Sequence, residues 1–225
     1  MTATALAPST SSRDLLESGL VQMGLTLDVG VQEKLLRYIA LLDKWNKVYN
    51  LTAVREPERM VGLHILDSLS VLSQVGVSGR VLDVGTGGGL PGIPLAIVLC
   101  VTAPGVKITM LDTVAKKTTF VRHAIGELGL VNADVVTVRV EKYQPTHQFD
   151  VVISRAFAEL TDFVNGAERL CVAGGCMLAM KGVHPFDEIA RLPASVTLDE
   201  VLPLTVPQVD GQRHLVVIKK LQEKN

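Results

Sequence analysis

The 225-residue chain predicts an α/β fold. The expected architecture is a mostly parallel seven-stranded sheet with helices on both faces and its last strand antiparallel, preceded by an N-terminal helical extension. Three observations carry this expectation. After residue 78, short β-branched apolar runs alternate with stretches of helix length, the pattern of a parallel sheet covered on both sides. The last two runs are joined without a helix, as in an antiparallel hairpin. Residues 13–77 carry only a 3.6-residue apolar period. Apolar residues make up 48% of the chain and charged ones 20%, enough to bury one sizeable core and to exclude global disorder.

The opening MTATALAPSTSS is small and polar, with no basic residue before Arg13 and no apolar centre. It reads as a disordered tail over residues 1–12 rather than a signal or transit peptide. Leu35, Leu36, Ile39, Leu42 and Trp45 then line one face of an amphipathic helix, with Glu33, Lys34, Asp43 and Lys44 between them. A polar break over 46–56 precedes Pro57, well placed at a first helical turn, and Met60, Leu63, Leu66 and Val71 mark a second helix. The glycine-bearing VGVSG at 75–79 closes this extension, so the boundary falls at 77/78 and the second unit covers 78–225.

Strands are expected at RVLDV ending near Val84, KITML ending at Leu111, DVVTV at 134–138, FDVVIS at 149–154 and GCMLAMK at 175–181. Residues 91–100, 114–128 and 156–170 supply the intervening helices. Two more strands, around 195–202 and 214–220, flank the turn-rich PLTVPQVDGQ. The longest apolar run, 93–101, contains Pro94 and falls short of the roughly 20 residues that span a bilayer, so no membrane crossing is expected. Cys100, Cys171 and Cys176 form neither a disulfide framework nor a zinc-type pair, which fits a reducing cytoplasm and no metal.

The junction VLDVGTGGGLPG at 81–92 runs from a strand through four glycines within five residues into a helix. Such a turn lets the backbone approach a ligand closely. Gly87, Gly89 and Gly92 also satisfy the dinucleotide fingerprint, so NAD is one candidate ligand. Asp83 argues for S-adenosylmethionine instead: a carboxylate aimed into the site would repel a pyrophosphate but favour an amine and a sulfonium. Asp112 ends the second strand, 29 residues later, where a carboxylate can accept both hydroxyls of an adenosyl ribose in either ligand. Arg139, Val140 and Glu141 follow the third strand, either at the adenine edge or as a surface turn.

The ordered motifs W-N-x-x-x-N-L-T (45–52), H-x-x-D-S-L (64–69), L-D-V-G-T-G-G-G-L-P-G-I-P-L (82–95), L-D-x-x-x-K-K (111–117), R-V-E (139–141), S-R-A-F (154–157) and K-G (181–182) resemble the RsmG (GidB) 16S rRNA guanine-N7 methyltransferases. The resemblance extends from about Leu41 to Lys219. It implies a Rossmann-like class I methyltransferase fold and methylation of N7 of one guanosine in the 16S decoding-region loop with S-adenosylmethionine. It also implies cofactor contacts at Gly85, Leu90, Val140, Glu141 and Arg155. One departure is Leu63, where the family is often basic.

N7 carries a lone pair and no proton, so no general base is required and none is evident. Arg155, after the fourth strand, either reaches cofactor and guanine or pairs with Glu159 or Asp162 at a helix start. His64 and Asp67 are either a substrate-facing pair or an interdomain hydrogen bond. Lys116, Lys117, Arg122, Arg139 and Lys181 are candidate phosphate contacts, with an ordinary solvated helix face as the alternative for the first three. Asn50 contacts RNA or caps a turn, and Trp45 packs in the helical core. The formal charge of −1 gives no overall basic field, so an RNA surface must be a local patch. The expected partner is 16S rRNA within the 30S subunit or an assembly intermediate, approached by a monomer. A small-molecule acceptor, an NAD-linked oxidoreductase and a cofactor-sensing RNA-binding module are the competing readings.

Overall fold

A computed structural model describes residues 10–77 and 79–221. All seven expected strands form one sheet: β1 (Gly79–Val84), β2 (Val106–Asp112), β3 (Ala133–Thr137), β4 (Phe149–Ser154), β5 (Cys171–Lys181), β6 (Val196–Pro203) and β7 (His214–Lys220). Their order is β3-β2-β1-β4-β5-β7-β6. The first five are mutually parallel, while β7 runs antiparallel to both of its neighbours. The chain order reverses between β1 and β4, and the crevice at the carboxyl ends of these two strands is where open α/β sheets bind ligands.

Alternation along the strands buries both faces. Val81 of β1 and Ile108 of β2 pack with Leu16, Leu35, Leu42, Ile65 and Ile93 on one side. Leu82 and Val84, one register step away, pack with Val152, Leu160, Phe163 and Met177 on the other. The first core joins the N-terminal helices to the sheet without interruption. Those helices are α1 (Thr10–Gln22), α2 (Val29–Tyr49), α3 (Pro57–Met60), α4 (Asp67–Leu69) and α5 (Leu72–Val75). Further along come α6 (Gly92–Thr102), α7 (Ala115–Leu128), α8 (Leu160–Ala167) and α9 (Phe186–Ile189).

Three details depart from the expectations. Helix α1 starts at Thr10, inside the segment read as a tail, and residues 1–9 lie outside the described residues. The stretch from Pro57 is interrupted by a π-turn over Val61–Leu66, in which the Asp67 amide reaches back to the Gly62 carbonyl. Helix α8 begins only at Leu160, because residues 155–159 leave the sheet as an irregular segment that borders the crevice.

Candidate functional site

The glycine loop is held from within. Asp83 is wholly buried, and its Oδ2 accepts the Thr86 hydroxyl at 2.6 Å and the Gly92 amide at 2.9 Å, tying the strand end to the start of α6. Burial pushes its carboxyl up to about 6, against those hydrogen bonds and the charge of Arg155. Through Oδ2 Asp83 therefore buttresses the loop, while its buried Oδ1 has no partner among the described residues, and the residue lines neither cavity, whereas the sequence reading aimed its carboxylate openly into the site. This placement removes the reason given there for preferring S-adenosylmethionine over NAD. The amides of Gly85 and Thr86 donate to the Leu111 carbonyl. Gly85 has φ +73°, and a Cβ there would lie 2.6 Å from the Ala156 Cβ, so only glycine fits. Tyr38 of α2, fully buried, donates its hydroxyl to the Gly88 carbonyl and locks the helical extension to the loop.

Two cavities open at the carboxyl end of the sheet, the first at the ends of β1, β2 and β4 and the second at the ends of β4 and β5, and the consecutive residues Arg155 and Ala156 line the second and the first respectively. The first, of about 340 Å³, is lined by Gly85, Asp112, Val140, Glu141, Ala156 and Phe157, with Lys117 and Arg139 at its edge. The Asp112 carboxylate accepts the amides of Gly87 and Val114, each at 2.9 Å, which fixes it while leaving lone pairs free. Arg169 donates to the carbonyls of Val140 and Tyr143 and braces that wall. Leu90 is buried and bonds through its amide to the Thr86 carbonyl, and it is not among the residues lining either cavity.

The second cavity, of about 400 Å³, is lined by His64, Asp67, Arg155, Lys181, Arg213 and Leu63, among others. Asp67, its side chain only 4% exposed, accepts Arg155 Nη1 at 2.9 Å through one oxygen and Arg213 Nε at 3.2 Å through the other. Arg155 also donates to the Leu63 carbonyl. Its pairing with Glu159 or Asp162 is not realised, since Glu159 pairs with Arg191. His64 bonds Thr52 rather than Asp67; Asp67 bridges the extension to the sheet through Arg155, and both residues line one cavity. Burial, aided by Arg155, lowers His64 to about 4, so its ring is neutral at neutral pH.

The basic candidates divide. Lys117 and Arg139 reach the first cavity, and Lys116 and Arg122 stay exposed on α7, away from the second. Lys181 is committed to Glu188 at 2.8 Å and to the Ala158 carbonyl, with 11% of its side chain exposed, so it is no free phosphate contact. Asn50 adopts the left-handed conformation that ends α2 and takes a hydrogen bond from Arg55, a capping role. Trp45 packs against Tyr49, Phe120 and His123. Arg213 escaped sequence reading, since it sits in a turn-rich stretch with no motif, 146 residues from Asp67. Among the described residues no helix is long and apolar enough to cross a membrane, and no His, Cys, Asp or Glu cluster could hold a metal.

The fold that brings together a glycine-turned strand end and an anchored carboxylate one strand away is shared with solved structures. A crystal structure of a SAM dependent methyltransferase from Aquifex aeolicus matches 76% of this chain and 97% of its own with a TM-score of 0.56 at 18% identity. The N-methyltransferase NodS from Bradyrhizobium japonicum, in complex with S-adenosyl-L-homocysteine, matches 79% and 98% with a TM-score of 0.54 at 14% identity. These share the fold. In sequence, the chain is 52% identical to the ribosomal RNA small subunit methyltransferase G of Chromobacterium violaceum, over 89% of this chain and 94% of the relative. It is 50% identical to that of Nitrosococcus oceani, over 92% and 94%. The model of the family GidB, rRNA small subunit methyltransferase G, matches residues 31–216, taking in the glycine loop, the π-turn and both Asp67 arginines. This chain therefore belongs to the rRNA small subunit methyltransferase G family.

Proposed function

We propose that the protein transfers a methyl group from S-adenosylmethionine to N7 of one guanosine in the decoding-region loop of 16S rRNA, acting in the cytoplasm as a monomer on the 30S subunit or an assembly intermediate. The observation that carries this reading is the pair of cavities lined by the consecutive residues Ala156 and Arg155, one with Asp112 and Glu141 and the other with Arg213. The residues present fit an adenosyl ligand. Asp112 keeps lone pairs for ribose hydroxyls, Gly85 lets the backbone come close, and Val140 and Phe157 offer apolar surface to a purine. When bound, S-adenosylmethionine supplies an electrophilic methyl on a sulfonium.

The rest is positioning by the chain itself. Asp67 fixes Arg155 and Arg213 through both of its oxygens, so these guanidinium groups stand at the second cavity without searching for a geometry. A cationic donor beside the base favours guanine, whose O6 accepts, over adenine, whose amino group donates there. N7 loses no proton, and the neutral His64 neither protonates it nor adds charge as the ring becomes cationic. Asp67 is the one carboxylate among the described residues lining this cavity, and it offsets part of that charge. A guanosine within folded RNA must leave its stack to enter, at a cost of a few kcal/mol.

The test is transfer of labelled methyl to 30S subunits lacking N7 methylation, across a salt series. Salt-sensitive labelling of 16S rRNA is expected. Labelling of a small acceptor alone, insensitive to salt, would contradict the RNA reading.

A further inference from the structure

Beyond β5 the chain continues along the wall of the second cavity through Gly182 and then projects outward. Phe186 stands there with 72% of its surface exposed, beside Val183 at 73%. The other phenylalanines are placed differently: Phe120, Phe149 and Phe163 are buried, and Phe157 lines the first cavity. Water contact on this scale costs an aromatic ring its burial energy and calls for a use.

The segment is held firmly. Glu188 pairs with Lys181 at 2.8 Å and accepts the Leu160 amide at 2.8 Å, while Ile189 packs into the second core. The inner face of the Phe186 ring is stacked on His184, with centroids 3.7 Å apart and planes 27° apart. His184 meets His214 edge-on at 5.3 Å, and His214 lies opposite Lys181 in the sheet and next to Arg213 in the chain. A row of rings thus leads from the sheet at the cavity wall to an exposed face. Three residues lie between Gly182 and Phe186, so chain length keeps the Phe186 Cα within about 14 Å of that of Gly182 at the cavity wall.

We propose that Phe186, stacked on His184 at the rim of the second cavity, is a platform for an unpaired nucleobase neighbouring the guanosine being methylated. The proposal rests on the RNA acceptor reading above. An exposed aromatic face backed by a second ring suits a base of any sequence, since every base offers a π face. The outward ring carries no charge, so its contribution adds to phosphate contacts without altering their salt dependence.

The experiment compares Phe186→Ala, Phe186→Trp and Phe186→Leu in the full chain. It measures binding to a single-stranded oligonucleotide of the decoding-region loop by fluorescence anisotropy and the KM for 30S subunits. Affinity for S-adenosylhomocysteine and thermal unfolding serve as controls. Phe186→Ala should weaken oligonucleotide binding and raise the 30S KM roughly tenfold or more, with the controls and the salt slope unchanged. Phe186→Trp should restore binding and Phe186→Leu should not. Two results would overturn the proposal: leucine binding RNA as well as phenylalanine does, or alanine binding the oligonucleotide normally while losing 30S affinity, which would mean an apolar contact with a ribosomal protein. Failure of the acceptor reading shows differently, as absence of methyl transfer to 30S by the unaltered protein. The oligonucleotide comparison is read whichever way that falls.

Discussion

Asp83 and His64 are both buried in the walls of the site and titrate in opposite senses across the same pH window. The Asp83 carboxyl stands at about 6 in the folded protein against 3.8 ordinarily, so between those values the folded state keeps a proton that the unfolded chain has lost. Its contribution to stability therefore falls as pH rises. His64 stands at about 4 against 6.5, so over that range the unfolded chain holds the proton and stability rises with pH. At about 1.4 kcal/mol per pH unit, each displacement amounts to about 3 kcal/mol, and the two nearly cancel in the unaltered protein. Asp83→Asn removes the falling contribution. Its unfolding free energy should climb by about 3 kcal/mol more than that of the unaltered protein between about pH 4 and pH 6.5. His64→Gln removes the rising one, and its stability should drop by about 3 kcal/mol relative to the unaltered protein over the same interval. Urea unfolding at a series of pH values, with m-values compared, reads this directly. If both variants run parallel to the unaltered protein across the window, the burial argument for these two groups is wrong.

Arg155→Ala should lower kcat/KM for methyl transfer to 30S subunits by roughly tenfold or more, since it removes one of the two guanidinium groups that Asp67 fixes at the second cavity. Gly85→Ala forces a Cβ to 2.6 Å from that of Ala156 at φ +73°. It should abolish detectable ligand binding in calorimetry and destabilise by about 1–3 kcal/mol in urea unfolding. A Cβ at Gly87 would meet only the Gly85 carbonyl oxygen, at 3.9 Å, but the backbone there is left-handed at φ +58°, so Gly87→Asp combines backbone strain with a new carboxylate close to Asp112. Calorimetry should find weakened ligand affinity, with Gly87→Asn closer to the unaltered protein because it carries no charge.

The elements that were legible in sequence are those whose burial is local. FDVVIS and the run at 214–220 became β4 and β7 at the expected residues, because alternation within a continuous apolar run suffices to define a strand buried on both faces. Strand β5 starts four residues earlier than expected, at Cys171, across a register shift opposite β4 that no composition signal marks. The π-turn was invisible for a similar reason, since its apolar residues fit a 3.6-residue period almost as well. At the site, residues that end strands fell where topology puts them: Asp112, Val140, Glu141 and Arg155 all border a cavity. Side-chain direction was not legible. Asp83 turned inward to Thr86 and Gly92, Lys181 turned to Glu188, and Leu90 turned into the core. Tyr38 and Arg213 were missed because each acts across a long stretch of chain, on Gly88 and Asp67 respectively.

The central claim is that a base, held at the cationic cavity, receives its methyl on a nitrogen that needs no deprotonation. Borohydride reduction followed by aniline cleavage of 16S rRNA, after reaction of the protein with S-adenosylmethionine and unmethylated 30S subunits, tests it most directly, because only an N7-methylated guanosine yields a strand break. A single new break in the decoding-region loop is the result the account predicts. Methyl incorporated into 16S rRNA without any break would place it on an atom other than a guanine N7, and would contradict the account.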